Sequence, residues 1–338
     1  MLKPEPTGSG TVLEVEDLRV GAREGGRIKR ILEGVSYSIE AGSCVALVGE
    51  SGAGKSISAR AVLGLLDDRR FEVNGTVRLC GREVGDLSRR ARRRYIPSVA
   101  SIVFQDPTSA LNPSMRVGWQ IAEALFASRV HPDTTSKGEA RAESLRLMRE
   151  VGIADPDERF HSYPHQLSGG MRQRIVIAIA LSCRPKVIFC DEPTSSLDVT
   201  TQAAIMDLLE DLRNRLSIAM VLITHDLALA SSRAEQVMVM YSGRLVETLP
   251  AENLFSKASM PYTQALISAL PDEEGRASRR TRGGLGLLGT AGPGCVYEPL
   301  CVRAADRCAA EAPPLAEVEV GHSCRCWYPV ALDSAGDA

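Results

Sequence analysis

A glycine-rich segment of the sequence contains the residue types needed to hold a chain of phosphates. Residues 49–56 read GESGAGKS, which fits the spacing G-x-x-x-x-G-K-S. Glycines let backbone N–H groups turn toward phosphate oxygens, a lysine such as Lys55 adds a positive charge, and a hydroxyl such as that of Ser56 can bind magnesium. A tight turn that binds nothing is the alternative. The residues predicted to contact a nucleotide are Gly49, Glu50, Ser51, Gly52, Ala53, Gly54, Lys55, Ser56 and Ile57.

Two adjacent carboxylates end the apolar run VIFCDE at residues 187–192. At the end of a strand the two side chains point in different directions, so Asp191 can join a magnesium shell while Glu192 polarises an attacking water. Taken alone, such a pair more often marks a strand that reaches solvent. Together with the phosphate-binding segment, the pair indicates magnesium-dependent nucleotide hydrolysis.

A second segment has the character of an anion site. LSGGMRQR at residues 167–174 places Ser168, Gly169 and Gly170 directly before an apolar helical pattern. Free backbone N–H groups at a helix N-terminus attract anions, although a plain helix cap uses the same residue types. Because one chain then contains two phosphate-binding ends, we expect them to serve different nucleotides.

Three more polar residues lie near predicted strand ends: Gln105 after ASIVF, Asp198 in SSLD and His225 after AMVLIT. Each of them alone would be an ordinary surface or core residue. Side chains at the carboxyl ends of parallel strands meet in one crevice, so Gln105 could contact magnesium and water while His225 contacts the terminal phosphate.

These residues need a sheet to bring them together, and the pattern predicts one. Alternating runs at 12–20 and 35–40, separated by the connector GAREGGR, indicate an antiparallel edge region. Continuous apolar runs predict buried strands at residues 43–49, 100–104, 186–190 and 219–224. Helical patterns lie between these runs and dominate residues 115–182, so we expect an α/β fold with a mostly parallel sheet and an inserted helical lobe.

The composition is that of a globular protein, with 44% hydrophobic and 24% charged residues. A net charge of -2 excludes a strong basic field, so nucleic acid is not an expected partner. The dense basic run at residues 88–94 is interpreted as a solvated helix face, with contact to lipid headgroups or a partner as the alternative. Because the N-terminus lacks a signal peptide and no apolar run is long enough to span a bilayer, we expect a cytosolic chain.

The phosphate loop, Gln105, LSGGMRQR, VIFCDEP, SSLD and His225 together resemble the nucleotide-binding subunit of ABC transporters over about residues 12–330. The resemblance implies an ABC-type domain with a RecA-like parallel sheet core, an antiparallel β edge and an inserted helical subdomain. It implies ATP and Mg²⁺ as cofactors, with magnesium held by Ser56, Gln105 and Asp191. Catalysis would rest on Glu192, Gln105 and His225. In a head-to-tail dimer the partner's ATP would be contacted by Ser168, Gly169, Gly170, Gln173 and Asp198.

Longer segments narrow the resemblance to importers of dipeptides, oligopeptides and nickel. They are FQDPTSALNPSMRVGWQI, SYPHQLSGGMRQR, DEPTSSLDVTTQA, MPYTQALISALP and the cysteine-bearing tail. This resemblance implies a second, different ATPase chain, two transmembrane permease subunits and an extracytoplasmic solute-binding protein as partners. The chain would then lie peripherally at the cytoplasmic face of the cell membrane. Peptide import is the expected function, and import of nickel or another small solute is the alternative.

The sequence departs from the family near the end of the first strand. There the family has an aromatic residue that stacks on adenine, whereas this chain has Val20, Gly21 and Ala22. Stacking on an aromatic side chain contributes about 1–3 kcal/mol per base where it has been measured. We therefore expect the phosphate and magnesium contacts to dominate nucleotide binding here.

Four segments are predicted along the chain: a tail at 1–11, an ABC ATPase domain at 12–250 with a helical subdomain at about 107–182, a helix and linker at 251–294, and a Cys-rich region at 295–338. Four thiolates in a reducing compartment can hold zinc or an iron–sulfur cluster. By resemblance to peptide-permease ATPases, a [4Fe-4S] cluster is predicted on Cys295, Cys301, Cys308 and Cys326. Free cysteines are the first alternative, and zinc is the alternative metal.

Two other functions share the same nucleotide chemistry. The first is a soluble ABC ATPase that acts on ribosomes or DNA, although the sequence has neither the second cassette nor the long heptad array expected of such proteins. The second is a sensor that binds a nucleotide without hydrolysing it. Glu192 argues against a sensor, since a sensor has no need of a general base beside the magnesium ligand.

Overall fold

The computed structural model describes residues 10–128, 136–270 and 292–330. The strands in these ranges are β1 (Thr11–Glu24), β2 (Arg27–Glu40), β3 (Cys44–Val48), β4 (Phe71–Leu79), β5 (Arg82–Glu83), β6 (Ala100–Val103), β7 (Val187–Asp191), β8 (Ala219–Thr224), β9 (Gln236–Tyr241), β10 (Arg244–Pro250), β11 (Ala316–Glu319) and β12 (His322–Cys324). The helices are α1 (Lys55–Val62), α2 (Arg89–Val99), α3 (Pro107–Ala110), α4 (Val117–Ser128), α5 (Lys137–Glu150), α6 (Pro156–Arg159), α7 (Gly169–Leu181), α8 (Val199–Leu216), α9 (Leu227–Arg233), α10 (Leu254–Lys257), α11 (Pro261–Ser268) and α12 (Asp306–Ala310). None of these described helices is long and apolar enough to cross a bilayer.

The N-terminal strands form an antiparallel sheet in the order β2-β1-β4-β5. Its first hairpin turns at Gly25 and Gly26, whose φ angles are +55° and +79°. A two-residue turn with positive φ at both positions matches the twist of the flanking strands and favours glycine. The connection is therefore shorter than the predicted connector GAREGGR. Strands β1 and β2 extend through most of that segment and leave only the two glycines as the turn.

The larger sheet has eight strands in the order β11-β12-β10-β9-β3-β8-β7-β6. The five strands from β9 to β6 in this order pair in parallel, and β3, β7 and β8 are buried along their full length. Strands covered on both faces need continuous apolar runs, which is why these segments show no alternation. The carboxyl ends of β3, β6, β7 and β8 therefore lie along one edge of the sheet.

Helices α4 to α7 form the helical lobe, with a core around the fully buried Phe160. Trp119 contacts the Phe160 ring edge to face at a centroid distance of 5.3 Å. The backbone of α4 passes so close that a Cβ on Gly118 would lie 2.1 Å from the Phe160 ring. Glycine is therefore required at residue 118 if the lobe is to pack in this way.

The C-terminal segment joins the large sheet, because β12 pairs antiparallel with β10 and carries β11 at the sheet edge. Glu247 on β10 is fully buried, and its Oε1 lies 2.8 Å from Nε2 of the buried His322 on β12. The same oxygen accepts hydrogen bonds from the backbone N–H groups of Ser259 and Met260. One carboxylate thus joins the sheet, the segment before α11 and the C-terminal hairpin. The predicted N-terminal tail, linker and Cys-rich region fall partly on residues 1–9, 271–291 and 331–338, which lie outside the described residues.

The His322→Ala variant should lower the free energy of unfolding by about 3 kcal/mol, because it leaves the buried Glu247 carboxylate without its imidazole partner. The matched control is Lys257→Ala. It breaks the exposed ion pair between Lys257 on α10 and Glu319 on β11 of the same C-terminal hairpin. An exposed pair contributes less than about 1 kcal/mol. Chemical denaturation of both variants measures the difference, and equal unfolding midpoints would show that the buried contact does not hold the hairpin.

Candidate functional site

The phosphate loop connects β3 to α1, and two glycines give it its shape. At Gly49, with φ of +144°, a Cβ would lie 2.2 Å from the carbonyl oxygen of Met240 on β9. Gly54 caps the N-terminus of α1 with φ of +106°. The loop therefore passes close to β9 and then turns back so that α1 begins at Lys55, with its free N–H groups facing the loop.

Lys55 is buried at the start of α1, and its Nζ donates hydrogen bonds to the carbonyl oxygens of Gly49 at 2.7 Å and Glu50 at 2.9 Å. Burial lowers the pKa of Lys55, while the nearby carboxylates of Glu192 and Asp191 act in the opposite direction. The loop thus encloses a positive charge whose position is fixed by the loop's own carbonyl groups.

The acidic pair ends β7 as the pattern indicates. Asp191 is 4% exposed and accepts a hydrogen bond of 2.7 Å from Ser56 Oγ on α1. Burial raises the pKa of Asp191, although the Ser56 hydroxyl and Arg60 oppose the shift. Glu192 follows in the left-handed region with φ of +46°, a backbone conformation that costs energy and turns its side chain away from that of Asp191.

Glu192 lies between two polar side chains from the neighbouring strand ends. Gln105, after β6, donates from Nε2 to Glu192 Oε2 at 2.8 Å. His225, after β8, places Nδ1 3.2 Å from Glu192 Oε1. The three side chains therefore form one hydrogen-bonded group beside the phosphate loop. Their chemical roles stay predictions.

An open cleft lies over this group. It is lined by Ile31, Ser51, Gly52, Gly54, Lys55, Ser56, Ile57, Gln105, Glu192 and His225. Ile31, on β2, is a wall residue that the sequence reasoning missed, because nothing in an alternating strand pattern distinguishes it. Near the predicted adenine position, Gly21 is buried and a Cβ there would lie 2.4 Å from Ile28 Cγ2. Ile31 thus adds an aliphatic side chain to the cleft wall, and Val20, Gly21 and Ala22 are not among the lining residues.

The second anion segment lies at the start of α7. Ser168 caps the helix by accepting from Met171 N–H at 3.3 Å, and Ser168 and Gly169 are exposed. Neither they nor Gly170 belong to the lining of the cleft. Asp198 is also exposed and caps α8, where hydrogen bonds from the Thr201 N–H and hydroxyl lower its pKa.

Gln173 is placed differently from its neighbours in LSGGMRQR. Its side chain is 0% exposed, and neither polar atom has a hydrogen-bond partner within the described residues. The structure therefore does not present Gln173 on the surface with Ser168, and the expected contact with a partner's ATP does not follow from this placement.

The Cys-rich region requires a correction. Cys295, Cys301, Cys308 and Cys326 line one small cavity together with Tyr297 and Trp327. Within the described ranges, however, no group of three or more His, Cys, Asp or Glu side chains is placed so that it could hold a metal ion. The predicted [4Fe-4S] cluster is therefore wrong, and zinc fails on the same finding.

Burial raises the pKa of the Cys295 and Cys326 thiols. All nine cysteines of the chain are free.

Comparison with known proteins agrees with this arrangement. The family model for the ABC transporter matches residues 32–195. The dipeptide transport ATP-binding protein DppD of Escherichia coli K12 is 42% identical over 332 residues, which are 96% of this chain and 98% of that protein. This chain belongs to the ABC transporter family. It is an ABC-type ATPase, as the motif resemblance implies.

Other comparisons extend along the ABC ATPase. A model for the C-terminal region of oligopeptide and dipeptide transporters matches residues 246–308. The oligopeptide transport ATP-binding protein AppD of Bacillus subtilis 168 is 36% identical over 320 residues, covering 94% of this chain and 96% of its own length. The family assignment therefore includes the segment that carries α10, α11 and the first three tail cysteines.

Two solved structures have the same fold. A dimeric ATP-binding cassette bound to ADP and phosphate matches with a TM-score of 0.62 at 25% identity, over 71% of this chain and 98% of that one. The cbiO1 protein of Clostridium perfringens, part of the ABC transporter complex cbiONQ, matches with a TM-score of 0.61 at 26% identity, over 73% and 91% of the two chains. The predicted ABC fold is confirmed. The predicted Cys-rich extension is not part of that confirmation.

Replacing Asp191 by Asn should stabilise the ABC ATPase at neutral pH without nucleotide. Because burial raises the pKa of Asp191 above its ordinary value of 3.8, the folded chain binds this proton more tightly than the unfolded chain. Ionisation of Asp191 therefore lowers the free energy of unfolding as the pH rises from 3.8 through the raised pKa. Asparagine at this position cannot ionise, so the variant does not lose this stability. We expect a melting temperature a few degrees higher at pH 7.5 and a difference that shrinks on acidification.

Thermal melting of both proteins across this pH range provides the measurement. Asp68→Asn is the matched control, because the Asp68 side chain is exposed. An Asp191→Asn variant that melts below the unsubstituted protein at pH 7.5 would contradict the account of Asp191 as a buried charge.

Proposed function

We propose that this ABC ATPase is the ATP-hydrolysing subunit of an importer for dipeptides or oligopeptides. The observation that carries the proposal is the placement of Glu192 between Gln105 and His225, beside Lys55 and the Ser56–Asp191 pair. The peptide class is supported by relatives named for dipeptide and oligopeptide transport, which match nearly the full chain. Nickel or another small solute remains the alternative cargo.

In this proposal the ATP phosphates lie on the loop of residues 49–56 and on the N-terminus of α1. The N–H groups at the start of the helix face the phosphates, and the helix dipole favours their negative charge. Lys55 Nζ reaches the outer phosphates from its position on the Gly49 and Glu50 carbonyl groups. The binding energy therefore comes mainly from the phosphate end of the nucleotide.

Ser56, Gln105 and Asp191 would hold Mg²⁺. The Ser56 hydroxyl and the Asp191 carboxylate are already 2.7 Å apart, and both are oxygen donors of the kind that Mg²⁺ prefers. When bound, the ion would neutralise charge on the outer phosphates.

Glu192 would act as the general base. Gln105 and His225 hold its two carboxylate oxygens from opposite neighbouring strands, so the carboxylate is oriented toward the cleft. It accepts the proton of the attacking water, while His225 contacts the terminal phosphate. Orientation of the base before ATP binds reduces the entropy that must be lost in the transition state.

A second subunit would complete the site. Ser168, Gly169 and Asp198 are exposed and Gly170 is half-buried. All four lie apart from the cleft lining, which fits contacts to ATP held by another ATPase subunit. A related ATP-binding cassette has a dimeric structure with ADP and phosphate bound, which supports a dimer here. We propose that the partner is a different ATPase chain, and that two permease subunits and an extracytoplasmic solute-binding protein complete the importer at the cytoplasmic face of the membrane.

A groove between α2, α7 and the segment after α1 supports attachment to the permease. Its apolar lining includes Ile96, Ile179 and the exposed Leu65 and Val73, and its rim includes the exposed Arg89 and Arg93. Apolar surface of this kind favours a partner segment with an apolar face. The basic run predicted as a solvated helix face thus borders a surface where a permease loop could bind.

The Glu192→Gln variant should bind Mg-ATP with unchanged affinity and hydrolyse it at least about 100-fold more slowly, because the amide cannot accept the proton of water. Phosphate release by the purified complex measures hydrolysis, and calorimetric titration measures binding. The matched control is Glu252→Gln, the same change on an exposed carboxylate outside the cleft.

The same pair of variants tests the transport function. Cells that lack the chain should take up labelled dipeptides again when they receive the unsubstituted protein or Glu252→Gln, but not when they receive Glu192→Gln. Restoration of uptake by Glu192→Gln would contradict the general-base role. Normal dipeptide uptake in cells without the chain would contradict the peptide cargo.

A further inference from the structure

A tyrosine far along the chain touches the phosphate loop directly. The hydroxyl of Tyr262, at the start of α11, accepts a hydrogen bond of 3.1 Å from the backbone N–H of Glu50, 212 residues earlier. Tyr262 is 2% exposed. The C-terminal segment therefore supplies a buried side chain whose hydroxyl contacts the second residue of the phosphate loop.

Both backbone polar groups of Glu50 are consequently hydrogen-bonded. Tyr262 fixes its N–H group, while Lys55 Nζ donates to its carbonyl oxygen at 2.9 Å and to that of Gly49 at 2.7 Å. These carbonyl groups determine where the Lys55 ammonium lies. A contact that fixes the Glu50 backbone thus acts on Lys55 without touching it.

Tyr262 is itself held by an aromatic cluster. Its ring centroid lies 4.4 Å from that of Tyr241 on β9 and 5.4 Å from that of Tyr297 in the Cys-rich segment. Tyr297 also contacts Tyr241 edge to face at 5.4 Å. Burial raises the pKa of Tyr262, so its hydroxyl stays neutral at physiological pH. The cluster therefore aims one uncharged hydroxyl at the loop.

We propose that Tyr262 is a positioning residue for ATP binding, which holds the first residues of the phosphate loop so that Lys55 is placed before the nucleotide arrives. The inference rests on the proposed role of Lys55 as the phosphate-binding cation. It gives the C-terminal segment a function at the nucleotide site: the segment supplies the hydroxyl, and Tyr241 and Tyr297 hold the ring that carries it.

The effect should fall on binding and not on the chemical step. No hydrogen bond within the described residues joins Tyr262 to Glu192, Gln105 or His225, whose own contacts form a separate group. Removing the hydroxyl loosens the Glu50 peptide and lets the carbonyl acceptors of Lys55 move. Because one hydrogen bond of this kind is lost, we expect affinity for Mg-ATP to fall about fivefold.

The test compares Tyr262→Phe with Tyr297→Phe in the full chain carrying Glu192→Gln, so that ATP is not consumed. Both changes remove one hydroxyl from the same cluster, but no described hydrogen bond uses the Tyr297 hydroxyl. Calorimetric titration with Mg-ATP should show the fivefold loss only for Tyr262→Phe, while both variants melt at similar temperatures without nucleotide. In the complex with an intact Glu192, Tyr262→Phe should raise KM about fivefold and leave kcat within about twofold.

Equal ATP affinity of the two variants would overturn the inference. If Tyr262→Phe does not fold, hydrogen exchange of the Glu50 backbone N–H is measured in the unsubstituted chain. Protection of this N–H supports the contact with Tyr262, and exchange at the rate of an unfolded peptide overturns the inference. A parent chain that binds no Mg-ATP would instead contradict the proposed function. Failure of the Tyr262 inference and failure of the proposed function therefore give different results.

Discussion

The carboxyl ends of parallel strands share one edge of a sheet, and every polar group of the nucleotide site depends on that constraint. The phosphate loop follows β3, Gln105 follows β6, Asp191 and Glu192 end β7, and His225 follows β8. These segments are far apart in sequence, yet pairing in register brings Glu192 within hydrogen-bond distance of both Gln105 and His225. The continuous apolar runs are therefore functional as well as structural, because burial on both faces fixes the strands that carry the reactive groups.

The cleft keeps charges in places that cost energy when no ligand is bound. Burial raises the pKa of Asp191 and lowers that of Lys55, so each charged form is disfavoured by desolvation. Glu192 adopts a left-handed backbone conformation that few side chains favour. Under the proposed function, the ATP phosphates and Mg²⁺ would add counter-charges beside the buried Lys55 and Asp191.

Sequence reasoning predicted the parts of the site that depend on local pattern. A strand ending in Gly49, a helix starting near Lys55 and acids after an apolar run are visible in short segments, and the sheet then brings them together. Contacts made at long range were not visible: Ile31 looks like any alternating strand residue, and the Tyr262 contact spans 212 positions. Pairing of β12 with β10 depends on Glu247 and His322, whose side chains meet only after folding. The resemblance of the Cys-rich region to that of peptide-permease ATPases misled the metal prediction, because four cysteines in a sequence do not report the relative placement of their thiols.

The most direct test of the central claim is to identify what binds the chain when its ATP cycle is arrested. A tagged Glu192→Gln chain is recovered from mild-detergent extracts with Mg-ATP, and the co-purifying proteins are identified by mass spectrometry. The account predicts two membrane-spanning permease subunits and a second ATPase chain, with a peptide-binding solute-binding protein recovered when the intact importer is captured. Recovery of ribosomes or DNA-repair proteins, without any membrane-spanning subunit, would contradict it and identify a soluble ABC ATPase instead.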